Sequence, residues 1–181
     1  MGKLYQELDE KLQTFIESQQ MFFIATAPAE GLVNCSPKGL DTLRILDSKT
    51  LAYIDLTGSG VETVAHLKEN GRFVLMFCSF AERPLILRLH GTGKVLEKDD
   101  PEFAELLSLF PETPGARAII KLQAERIADS CGWGVPQFEF KGERDTYFRY
   151  AEQIGDEGLL KAQSGVNTRS LDGLQGLKDP E

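Results

Sequence analysis

Between residues 22 and 130 the chain is a succession of short β-type runs broken by polar, glycine- or proline-bearing turns, and this restricts it to a strand-rich fold. FFIATA (22–27) and LVNCS (32–36) flank Pro28-Ala29-Glu30-Gly31, the pattern of a hairpin. LRIL (43–46), the turn DSKT and LAYIDL (51–56) repeat the layout, so four strands arrive within about 35 residues. RFVLMFCSF (72–80) is almost continuously apolar, as where both faces of a strand are covered. LILRLHGTGKVLEK (85–98) is a long alternating run whose glycines at 91 and 93 mark a bulge or sharp bend. ARAIIKLQAERIADS (116–130) alternates from Ile119 onward and would close the sheet. The strands do not alternate regularly with helices, so a meander or barrel is expected rather than a doubly wound parallel sheet.

Helical patterns punctuate this series. Leu4, Leu8, Leu12, Phe15 and Ile16 share one face of an opening amphipathic helix of about four turns. Gly58-Ser59-Gly60 ends the fourth strand, and VETVAHLKENG (61–71) reads as a short crossing helix that stops at Asn70-Gly71. Asp99-Asp100-Pro101 starts another, with Phe103, Leu106, Leu107 and Phe110 on its apolar side. CGWGVPQFEF is expected to be an ordered, turned segment that presents Trp133. ERDTYFRYAEQIG, from Glu143, is helical, and GLLKAQ adds a turn. The glycine-rich, polar remainder predicts a domain over 1–165 and a flexible or partner-packed tail over 166–181.

Composition narrows the function classes. At 181 residues a single core suffices, since a chain of this size buries roughly 70% of its unfolded surface. A net charge of −8 opposes binding to nucleic-acid backbones, which depends on lysine and arginine. No apolar run approaches the roughly 18 residues of a membrane span, and the charged N-terminal stretch lacks the apolar core of a signal peptide, so a cytoplasmic protein without membrane contact is expected. Cys35, Cys78 and Cys131 lack the spacing of a disulfide framework or a zinc site.

GxSxG, HExxH and GxxxxGK[ST] are all missing, which removes the common hydrolase, metalloprotease and nucleotide-triphosphate readings. Small polar and cationic residues do collect at strand ends: Asn34, Ser36 and Lys38 after the second strand, Arg44 in the third, Ser59, Glu62 and Thr63 at a helix start, and Arg83 and Arg88 around the sixth. A glycine-bearing loop that opens into a helix, assisted by a cation, suits a phosphate. The competing reading is a plain turn with solvated arginines. His90 is read as a hydrogen-bonded barrel residue against a catalytic one, and Cys35 as packing against a reactive thiol. Trp133 could stack on a flat ring or anchor a core or dimer interface.

NCSPKG (34–39), LAYIDLTGSGVETVAHLKENGRFVLMF (51–77) and LRLHGTGKV (87–95), in this order, resemble the pyridoxamine 5′-phosphate oxidase-related FMN-binding split barrels. SCGWGVPQFEF, ERDTYFRYAE and NTRSLDGL resemble an uncharacterised branch of that family. The resemblance implies a mainly β fold with helices (α+β): a six-stranded split β-barrel with flanking helices, paired as a homodimer with FMN at the interface. It implies a phosphate site at Ser36, Lys38, Arg44, Ser59 and Thr63, with Asp55, Arg88 and Trp133 as further cofactor-binding candidates. No catalytic side chain is singled out, and no metal site. The chain departs from the oxidase itself in carrying GSGVET where a basic Ser-Arg-Lys cluster is expected, and it lacks the carboxy-terminal Arg and His pattern for pyridoxal phosphate. The expected function is an FMN-dependent oxidoreductase acting with a small-molecule substrate or electron donor. The alternatives are a non-catalytic, stress-related flavin-binding module, a cofactor-free interaction barrel, or a barrel that holds a deazaflavin or haem.

Overall fold

The computed structural model describes residues 2–178. Its elements run β1 (Leu4–Tyr5), α1 (Glu10–Glu17), β2 (Phe22–Thr26), β3 (Asn34–Lys38), β4 (Leu43–Ile45), β5 (Thr50–Leu56), α2 (Glu62–Asn70), β6 (Arg72–Cys78), β7 (Ile86–Leu96), α3 (Pro101–Leu107), β8 (Ala116–Ser130) and α4 (Thr146–Ser164). Every strand pairing is antiparallel, in the order β3-β2-β6-β7-β8-β5-β4. β1 is added beside the far end of β8, where Leu4 faces Ala128. The sheet curls into a half-barrel whose two free edges, β3 and β4, follow one another in the chain.

Two cores use the two faces of this sheet. Inside the curl, Ile24, Leu51, Tyr53, Leu75, Phe77, Leu87, Leu89, Ile120 and Leu122 pack with Leu12 and Ile16 of α1 and Val64 and Leu67 of α2. On the other face of β5, Ala52 and Ile54 meet Phe103, Leu106 and Phe110 of the α3 region. β5 is therefore buried on both sides, which is why LAYID shows no polar alternation until Asp55.

The sheet has eight strands, not six. Two of them, β1 and β4, have only two and three residues, too short for a periodicity to register. The opening helix is also shorter than its apolar spacing predicts. Asp9 caps α1 by accepting from the Leu12 amide at 2.9 Å, so the helix cannot extend back to Leu4, which is 61% exposed. Lys3 and Tyr5 are instead fixed to the carboxylate of Asp129. α2 ends as its sequence predicts, on Gly71 at φ 71°. α4 is two helical pieces joined at Gly155, whose φ is 62°.

Residues 166–178 pack back on the same chain. Leu177 is buried in the inner core, its amide donates to the Asn167 carbonyl at 2.9 Å, and Lys68 donates to the Gly176 carbonyl. The last three residues of the predicted tail lie outside the described residues.

The long β7–β8 pairing is continuous except for one register shift after His90, where Gly91 faces Ala124 and Glu125 is left over. A side chain at 91 would put its Cβ 1.9 Å from the Gln123 carbonyl oxygen. Gly91→Ala is expected to lower unfolding free energy by about 3 kcal/mol in urea titrations, whereas Gly134→Ala, with no neighbour within 4 Å, changes it by less than about 0.5 kcal/mol. Equal effects would contradict the close approach at the bulge.

Candidate functional site

At the split between the free edges, alternation along β3 turns Asn34, Ser36 and Lys38 towards the barrel and leaves Cys35 and Pro37 exposed. The same rule in β5 puts Tyr53 and Asp55 on the inner face. Arg117 arrives by a different device. Leu56 pairs with Ala116 and Asp55 with Ala118, so Arg117 is the extra residue of a β-bulge, which re-aims its side chain towards Asp55.

Asp55 is 1% exposed and carries two cations: Lys38 Nζ donates to Oδ1 at 2.9 Å and Arg117 Nε to Oδ2 at 2.7 Å. Burial opposes its ionisation, but Lys38 and Arg117 outweigh that cost and hold the carboxyl below its ordinary range. Arg117 Nη2 also donates to the Gly60 carbonyl at 2.8 Å. Lys38 lies 5.7 Å from the centre of the Tyr53 ring. Burial, reinforced by the charge of Asp55, pushes the Tyr53 phenol well above its usual value and keeps it a neutral donor.

A second network, of hydroxyl, amide and imidazole groups, adjoins. Ser36 Oγ donates to Asn34 Oδ1 at 3.0 Å, Asn34 Nδ2 donates to Thr63 Oγ1 at 3.0 Å and to Thr26 Oγ1 at 3.3 Å, and Thr26 Oγ1 lies 3.0 Å from His66 Nδ1. Among the described residues, Tyr53 Oη, His66 Nε2 and Arg117 Nη1 are buried without a hydrogen-bond partner.

The loop from β5 into α2 is held by its acceptors. Thr57 Oγ1 accepts from Gln163 Nε2, the Gly58 carbonyl from Asn167 Nδ2 and the Gly60 carbonyl from Arg117, each at 2.8 Å. The Thr57 amide donates to the Gly115 carbonyl. Among the described residues, the amides of 58–63 have no backbone acceptor, and Val61 supplies no side-chain cap to α2. A row of N–H groups therefore remains open at the positive end of a helix dipole, beside Thr63.

Ser36, Lys38, Asp55 and Thr63 are thus brought together with Asn34, and Ser59 lies exposed on the adjoining loop. Arg44 is not. It faces the outer core, where it donates twice to Asp41 and to the Leu109 carbonyl and lies 4.8 Å from the centre of the Phe110 ring. Arg88 is on the outer sheet face, donating to Ser130 Oγ at 2.9 Å, and Trp133 is 83% exposed. His90 is exposed on that outer face; partial burial, then Arg126 and Arg88, lower its pKa. Arg83 lines a separate groove of about 1440 Å³ with Phe15, Met21, Phe23, Phe80 and Phe138. Sequence reasoning missed Arg117, Tyr53, Thr26, Gln163 and Asn167. Of these only Arg117 left a signal: a lone charge between two alanines that breaks the alternation of its strand.

The family model described as pyridoxamine 5′-phosphate oxidase matches residues 8–131. The chain is 39% identical over 195 residues to the pyridoxamine 5′-phosphate oxidase family protein ustO of Aspergillus flavus, covering 98% of this chain and 78% of that one. The chain belongs to the pyridoxamine 5′-phosphate oxidase family.

Solved structures place this family member among the split barrels. A Lactobacillus delbrueckii protein assigned as a pyridoxamine 5′-phosphate oxidase superposes with a TM-score of 0.57 at 23% identity, over 69% of this chain and 98% of its own. An FAD-binding protein of Mesorhizobium loti gives 0.51 at 9% identity, over 71% and 95%. At these identities the likeness concerns the fold, which is the family's FMN-binding-type split barrel, here with four helices.

Because the folded Asp55 titrates below its unfolded value near 3.9, its stabilisation is complete above about pH 4 and fades as pH falls through the folded pKa. Asp55→Asn is expected to cost about 3 kcal/mol at pH 7, and the gap from wild type should narrow below about pH 4. Urea unfolding across that range checks it. A gap independent of pH would contradict the ionised pairing.

Proposed function

We propose that this family member binds FMN and works as a flavin-dependent oxidoreductase, as a homodimer with the flavin between subunits. The observation that carries this reading is the open amide row of residues 58–63 at the start of α2, flanked by Thr63 and by the cations around Asp55. These residues fit a phosphate monoester. The amides and the Thr63 hydroxyl are donors, and Lys38 and Arg117 leave one net positive charge after Asp55 is counted. The unpartnered, buried Nη1 of Arg117 shows spare donor capacity beside the loop.

In this reading Lys38, Thr63 and the loop amides bind the phosphate, Asn34 and Ser36 orient Thr63, and Asp55 keeps both cations in place. Of the two cations first expected at the phosphate, Lys38 keeps that role in this reading, and Arg117 stands where Arg44 was expected. Arg88 and Trp133 act at the outer face, where a second copy would bring them to its cleft. A bound flavin supplies the hydride or electron transfer, so no side chain has to act as a nucleophile.

The second copy is supported by the outer face of the sheet. Phe23, Ala25, Val74 and Met76 are only partly covered there, and β6 is apolar on both faces as if both were to be buried. Exposed Trp133, Phe138 and Phe140 follow β8 in a segment without helix or strand. No helix among the described residues is long and apolar enough to cross a membrane. Three free thiols suit the reducing cytoplasm proposed for it.

Lys38→Ala removes a charged hydrogen-bond donor and is expected to weaken FMN binding roughly 10-fold or more in a fluorescence titration, with Thr63→Val weaker by a smaller factor. Turnover of NADH or NADPH with an acceptor by the loaded wild type supports the oxidoreductase. Tight FMN without turnover favours a flavin-binding module instead, and wild-type affinity in both variants would overturn the phosphate site.

A further inference from the structure

Three contacts from the end of the chain converge on the loop between β5 and α2. Gln163, in the last turn of α4, donates to Thr57 Oγ1, Asn167 donates to the Gly58 carbonyl, and the Leu171 amide donates to Glu62 Oε1 at 3.3 Å. They reach residues 57, 58 and 62 across more than a hundred positions of sequence. Asn167 is fully buried, and its Oδ1 has no partner, so only its Nδ2 explains an amide at this position. The segment that carries it is itself fixed. Gly176 donates to the Thr168 carbonyl at 2.7 Å, Leu177 donates to the Asn167 carbonyl, and a Cβ at Gly176 would lie 2.6 Å from both the Asn167 carbonyl oxygen and Val61 Cγ1.

We infer that residues 163–178 form a clamp that sets the shape of the 57–62 loop, with Asn167 as its positioning residue for phosphate binding. The ligand half of this inference rests on the flavin reading above. The mechanism is geometric. A peptide unit whose carbonyl is pinned on one side presents the N–H of the next residue on the other, so the Gly58 carbonyl held by Asn167 orients the Ser59 amide. Arg117 does the same at Gly60 for Val61. Glu62 folds back over Gly60, where a Cβ would lie 2.2 Å from its Oε2, and the Leu171 amide holds its other oxygen, so the tail also fixes the carboxylate that borders these amides. The clamp thus aims the donors and fixes the acid beside them. In this reading the aimed backbone amides, together with Lys38 and Arg117, serve in place of the basic Ser-Arg-Lys cluster.

The test uses hydrogen exchange followed by mass spectrometry on the full chain without flavin, together with FMN and riboflavin affinities, riboflavin having the ring but no phosphate. In Asn167→Ala the protected amides of the peptide over 57–65, Thr57 on the Gly115 carbonyl and Ala65 on the Val61 carbonyl, should exchange at least tenfold faster while the peptide over 86–96 is unchanged. FMN affinity should drop at least tenfold with riboflavin affinity unchanged. If Asn167→Ala does not fold, Gln163→Met, which removes the tie to Thr57, carries the same comparison. Unchanged exchange at Thr57 and Ala65 would overturn the clamp whether or not flavin binds. Faster exchange with unaltered FMN affinity, or equal losses for FMN and riboflavin, would overturn the link to phosphate. If the wild type binds no FMN, the flavin reading fails, and exchange alone then decides the clamp.

Discussion

The Lys38–Asp55–Arg117 contact spans the one place where the sheet does not close on itself. β3 and β5 share no backbone hydrogen bond, and Lys38 reaches from one to the other across the split, while the bulge in β8 delivers Arg117 to the other oxygen of the same carboxylate. Three strands and the loop before α2 are tied at one buried carboxylate. Removing one partner of such a group leaves an uncompensated charge, so the contact is demanding of its surroundings. That demand explains why Asp55 sits at the end of an otherwise apolar strand, where the barrel opens.

Around this point the fold separates two tasks. The inner core and the long β7–β8 pairing make a rigid wall, with a glycine at the bend where no side chain fits. The split edge, by contrast, is polar, held by side chains on both sides of the gap. Two of its loop carbonyls are bound from behind by β8 and the C-terminal segment, the Thr57 hydroxyl is bound by α4, and its amides are left open. A cleft lined by fixed donors is suited to binding a group that brings its own reactivity, since orientation is then what the protein must supply.

Much of the strand order could be read from turn chemistry: Pro28 to Gly31 for the first hairpin, DSKT for the second, Gly71 for the end of α2 and Gly91 for the bulge. These are local effects, written in neighbouring residues. The site was only half legible for the opposite reason. Asn34, Ser36, Lys38, Asp55 and Thr63 stand out as polar residues at strand and helix ends, and the ordered resemblance to a flavin-binding family added their meaning. Arg44 looked equivalent, but three residues of β4 do not say which face a side chain takes, and pairing with Ala52 sends it to the outer core. Arg117 was hidden because a bulge inverts the alternation that would place it. Gln163 and Asn167 act through bonds to loop backbone far away in sequence, and a polar, glycine-rich composition reads as loose when its partners are unknown.

An absorbance spectrum of the purified wild-type protein, after incubation with FMN and removal of the excess by desalting, tests flavin binding at the split. Flavin bands are expected to stay with the protein at close to one FMN per chain. A colourless protein under the same treatment would contradict flavin binding at the split, while leaving the barrel and its buried Asp55 as they stand.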